Sequence, residues 1–154
     1  MPRAVDIIQC PGKVVEFLSG WDFRAMITAT FSLWSASLTH RTITAALGAS
    51  PDDFAVKGAD RSPPRKMPLA HGWHLSVERT VDGDVGLALA SLLERVNPIK
   101  SGIQKLLIDD KTLDVRTTIS IRTDHRLSMY IEEKYIKNLG DLRSSLDIDF
   151  LESH

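Results

Sequence analysis

The sequence predicts an α+β fold, a two-layer sandwich in which one mainly antiparallel sheet carries helices on a single face. Three observations carry that expectation. Ile27, Ala29, Phe31 and Leu33 alternate with Thr28, Thr30 and Ser32, the two-residue period of a strand that buries one side and wets the other. Later strands repeat this alternation, whereas strands covered by helices on both faces would be almost continuously apolar. Val85, Leu89, Leu92, Leu93 and Val96 recur at helical spacing and supply the apolar stripe of the second layer.

Taken in order, the elements run strand, helix, strand, helix, helix, strand, strand, helix, strand. Residues 1–24 read as an N-terminal extension with a turn at Cys10-Pro11-Gly12 and a short apolar patch, and residues 25–154 as a single domain. Met26 to Trp34 form the first strand. Thr39 is placed to cap the next helix, whose stripe is Ile43, Ala46 and Leu47, and Gly48 can take the left-handed conformation that ends it. Periodicity vanishes between Ala49 and Gly72, a stretch rich in Pro, Gly, Asp and basic residues that reads as a long loop. Trp73, Leu75 and Val77 then alternate with His74, Ser76 and Glu78 in a second strand. The helix over 85–96 breaks at Asn97-Pro98, where proline removes a backbone donor, and Ile99, Ile103, Leu106 and Leu107 continue as a third helix. Val115, Thr117, Ile119 and Ile121 define a strand that turns through Thr123-Asp124-His125-Arg126 into Leu127, Met129 and Ile131, a hairpin. Glu132 and Glu133 suit the positive end of the last helix, with Tyr135, Ile136, Leu139 and Leu142 as its stripe. Leu146, Ile148 and Phe150 alternate with Asp147 and Asp149 in the closing strand.

Composition narrows the partners. The 154 residues are 43% hydrophobic, enough for one packed core, and 19 Lys and Arg stand against 20 Asp and Glu, so no global field favours nucleic acid or an anionic membrane. Cys10 is the single cysteine, which excludes an intrachain disulfide and a multi-cysteine metal site and fits a reducing cytoplasm. Asp6, Lys13 and Glu16 interrupt any signal-peptide core, and no apolar run approaches the ~20 residues that cross a bilayer. A cytoplasmic protein with no membrane contact is the expectation.

Phe31-Ser32-Leu33, Ile43-Thr44-Ala45-Ala46-Leu47-Gly48, Pro51, Lys57-Gly58 and the Trp73 strand form a series of short motifs. Together with the closing helix and its Leu146-Asp147-Ile148-Asp149-Phe150 strand, they resemble a bacterial family, domain of unknown function 4279. The chain departs from that pattern at Thr39-His40-Arg41-Thr42, which lacks acidic residues, and in its extra N-terminal segment. The resemblance implies a bacterial α+β domain and carries over no catalytic residues.

If every strand keeps its alternation, the open face gathers Trp34, His74, Arg116, Arg122 and Tyr130 as binding residues, beside Asp147 and Asp149. Aromatic rings next to guanidinium groups suit stacking and anion contacts, while cross-strand Arg and Asp pairs on a solvated face are the structural alternative. The loop adds Lys57, Arg61, Arg65 and Lys66. No nucleophile elbow or glycine-rich phosphate loop occurs, and His71 and His74 lack the further ligands a metal needs, so no catalytic residue, metal or cofactor is expected. The expected function is non-enzymatic: binding of a protein partner or a second copy, in a regulatory or immunity-type role. A small-molecule or nucleotide-binding enzyme using the same face is the alternative, and a single-stranded nucleic-acid binder a further one, against which the mixed charge argues.

Overall fold

A computed structural model describes residues 6–10, 13–17, 26–80, 84–123 and 129–151. Near the N-terminus, β1 (Asp6–Cys10) and β2 (Lys13–Phe17) pair antiparallel as a separate two-stranded sheet, Ile8 opposite Val15. The extension therefore contains a hairpin where the sequence reading finds only a turn and an apolar patch.

The main sheet is built from β3 (Met26–Ser35), β4 (Asp53–Ala55), β5 (His71–Thr80), β6 (Asp114–Arg122) and β7 (Ser145–Leu151). Its spatial order is β4-β5-β3-β6-β7, with only β6 and β7 parallel. The helices are α1 (His40–Leu47), α2 (Val85–Val96), α3 (Lys100–Asp109) and α4 (Glu133–Asp141), with a 3₁₀ turn at Asn97–Ile99 between α2 and α3. This is the expected α+β architecture. Its local causes are those the sequence suggests. Thr39 Oγ1 accepts the Thr42 backbone N–H at 3.2 Å and Gly48 ends α1 at φ 65, while Asp84 caps α2 through the Leu87 N–H. Pro98 turns α2 into α3.

Register explains the core. Ile27, Ala29, Phe31 and Leu33 of the central strand stand beside Leu75 and Trp73 on one side and Ile121, Ile119 and Val115 on the other. Val85, Ala88, Leu89, Leu92, Leu93 and Val96 of α2 close over them, and all of these are buried. Each large aliphatic side chain so covered stabilises the fold by roughly 1.5–3 kcal/mol. Thr117, the one inward polar residue of β6, meets Ser144 Oγ at 2.9 Å and so keeps a partner.

Two segments differ from expectation. The 49–72 stretch is not all loop, because β4 extends the sheet edge beside β5 with Asp53 opposite His74. Met129 to Glu132 run without strand pairing, and residues 124–128, where the expected hairpin turns, lie outside the described residues. The physical reason is that β6 already has β3 on one side and β7 on the other, so no edge remains for a hairpin arm. Tyr130 therefore leaves the sheet, and its carbonyl lies against Gly86 at the start of α2.

Candidate functional site

Alternation along β3, β5 and β6 places polar side chains on the sheet face opposite the helices, and pairing sorts them into rows. One row reads Asp53, His74, Ser32, Arg116 and Ser145 across all five strands. The next reads Ala55, Gly72, Trp34 and Asp114. A ring pair joins the rows: the Trp34 and His74 centroids are 4.8 Å apart with planes tilted by 60°. Gly72 makes this possible. A Cβ there would stand 2.6 Å from His74 Nε2 and 2.9 Å from the Trp34 ring, so only glycine leaves room for both rings over the β5 backbone.

Hydrogen bonds hold the pair in place. Ser32 Oγ and His74 Nδ1 share one at 2.9 Å, and Ser35, the residue after Trp34, donates to Asp110 Oδ2 at 2.9 Å while accepting the Leu38 N–H. Burial pushes the His74 imidazole below its ordinary value, the Asp53 carboxylate pulls it up and Arg61 pushes it down again. His74 is therefore a neutral ring at pH 7. Arg116 donates through Nε to Asp114 Oδ2 at 2.7 Å, an ion pair open to solvent.

The loop root is also tied to this end of the sheet. His71 Nδ1 accepts the Lys57 N–H at 3.2 Å, Lys57 Nζ reaches the Ala36 carbonyl at 3.5 Å, and Gly58 N–H donates to Pro68. Arg95 of α2 binds Asp52 through both terminal nitrogens and also donates to the Ser76 carbonyl at 2.8 Å, while Asp52 accepts the Ser76 N–H. That clamp joins the start of β4 to β5.

Of the five residues singled out from the sequence, the structure brings together Trp34, His74 and Arg116. Arg122 shares their face but lies six residues further along β6, roughly 20 Å away at ~3.3 Å per residue. Tyr130, in the irregular segment before α4, belongs to neither row. Sequence reasoning puts Ser32 on the polar face without singling it out as a binding residue, and misses Asp53 and Gly72. Asp53 depends on a strand hidden in the loop and Gly72 on a collision visible only in three dimensions. Among the described residues, no group of three His, Cys, Asp or Glu side chains could hold a metal ion.

The model of the family described as domain of unknown function (DUF4279) matches residues 25–152, and the chain belongs to that family. No curated protein and no solved structure matches it. No helix among the described residues is long and apolar enough to cross a membrane.

Proposed function

We propose that this DUF4279 member is a non-enzymatic binding domain that takes a protein partner on the open sheet face around Trp34, His74 and Arg116. The observation that supports it is the Trp34–His74 ring pair seated over Gly72 on a face that, among the described residues, lies opposite the helices. Trp and Arg are the side chains on which interface energy concentrates, and rings already fixed by packing lose little freedom on association. Arg116 beside Asp114 gives a charge-balanced rim, which suits a protein surface better than a phosphate track. A regulatory role in a bacterial cytoplasm, immunity to a toxin included, is served by such a surface.

One observation favours a second reading. Asp53, His74 and Ser32 share a row and Ser32 Oγ bonds the neutral imidazole, an acid–base pair that a small-molecule enzyme could use. Against it, Ser32 is buried beneath its neighbours. Affinity capture from the source organism separates the two. A protein retained by the wild-type chain and by Ser32→Ala, but lost with both Trp34→Ala and Arg116→Ser, is the expected result. Retention by all four chains would move the interface elsewhere.

A further inference from the structure

The two edges of the main sheet differ. At one, β4 is three residues long and its start is clamped by Asp52 and Arg95. At the other, β7 presents seven residues in unbroken register with β6, from Ser145 beside Arg116 to Leu151 beside Arg122, and among the described residues its outer side pairs with no strand. Natural sheets blunt such edges with prolines, bulges, very short strands or charged side chains, and of these β7 has only the charges of Asp147 and Asp149.

Its side chains say what fits there. Asp147 and Asp149 are exposed on the open face beside the uncharged Thr118 and Ser120; of the arginines on that face, Arg116 is engaged by Asp114, and Arg122, beside Leu151, forms no ion pair with either aspartate. On the helix side, Phe150 is 62% exposed, while Leu151, at the strand end, lies beside Arg122 on the open face and is 42% exposed. A second copy of the chain is a poor occupant. In antiparallel pairing centred on Asp147, Ile148 or Asp149, the registers that pair most of the strand, Asp147 meets Asp147, Asp147 meets Asp149, or Asp149 meets Asp149. Like charges directly opposite each other destabilise a ladder, whereas lysine or arginine at alternate positions would pair with both aspartates.

We infer that the free edge of β7 accepts an extended basic segment of a partner protein as a sixth strand. Its alternate Lys or Arg side chains face Asp147 and Asp149, and its apolar residues lie beside Ile148 and Phe150. Main-chain hydrogen bonds supply the affinity and the alternating side chains the selectivity. The edge meets the rows of the candidate site only at Ser145, and the inference rests on neither Trp34 nor His74.

The probe is a blocked octapeptide of alternating lysine and valine, compared with one of alternating glutamate and valine and with a lysine–valine peptide whose two residue types are grouped in blocks. Binding is read by anisotropy at low salt and its place by amide hydrogen exchange. The alternating lysine peptide should bind and slow exchange within 145–151, the other two should not, and Trp34→Ala should leave this unchanged. In Asp147→Lys/Asp149→Lys, affinity for the lysine peptide should fall at least tenfold and the glutamate peptide should bind instead, a reversal that misfolding cannot mimic. Absence of binding, equal binding of the block peptide, protection outside β7, or no reversal would overturn the inference. So would slowed exchange over 145–151 in a concentration-dependent dimer of the free chain.

Discussion

Replacing Gly72 with alanine tests how the ring pair is seated. Gly72 lies within β5 and has no positive φ, so alanine meets no backbone obstacle. Taken alone, the change should stabilise by about 0.4–1 kcal/mol, because alanine has fewer unfolded conformations to lose. The structure opposes that gain. The new Cβ would lie 2.6 and 2.8 Å from the His74 ring and 2.9 Å from the Trp34 ring, where carbon contacts prefer roughly 3.5–4 Å. Both rings must then move by about 1 Å or swing into solvent, and overpacking of that order costs about 1–3 kcal/mol. The net expectation for Gly72→Ala is a loss of about 1 kcal/mol, read from the urea midpoint. In a Trp34→Ala/His74→Ala background the collision is gone, and the same change should stabilise by about 0.4–1 kcal/mol. Equal effects in the two backgrounds would refute the claim that Gly72 exists to seat these rings.

Leu92→Ala should cost about 2–5 kcal/mol, since Leu92 is fully buried between α2 and the sheet; an unchanged denaturation midpoint would contradict that packing. Stability should fall as pH drops below about 6.5, the ordinary histidine value, because His74 is harder to protonate folded than unfolded. His74→Gln should remove that slope, measured as urea midpoints from pH 7.5 to 5. The Asp52 carboxyl is held below its ordinary value by its hydrogen bonds with Arg95, so the stability it contributes is present above about pH 4 and lost below it. Both partners are partly exposed, so Asp52→Asn should cost no more than about 1 kcal/mol at pH 7 and flatten the acid limb of the stability profile. Arg116→Ser should change stability by less than about 0.5 kcal/mol, because the guanidinium and Asp114 meet in solvent.

The fold was legible where one face had to be dry. Alternation in 26–34 and 115–122 and the α2 stripe follow from burial on one side, and each element lies where that pattern puts it. Pairing was less legible. β4 is three residues inside a polar stretch and holds its place through Asp52, Arg95 and the β5 backbone, none of which leaves a periodic signal. The residues after Arg122 show strand-like alternation, yet β7 returns parallel to β6 and takes the edge a hairpin arm would have used. That single competition moved Tyr130 off the face. Trp34, His74 and Arg116 could be placed together because they lie on three strands whose inward faces were unambiguous, whereas Arg122 shares only the face and not the end of the sheet.

The central claim is that a protein partner covers the Trp34 end of the open face, and amide hydrogen exchange on the complex recovered by affinity capture tests it most directly. Slowed exchange should concentrate at residues 30–35, 71–76 and 114–118, where the rings and Arg116 sit, and the Trp34→Ala chain, folded by circular dichroism, should not form the complex. Protection confined to the helices, or a complex that forms undiminished with Trp34→Ala, would contradict it.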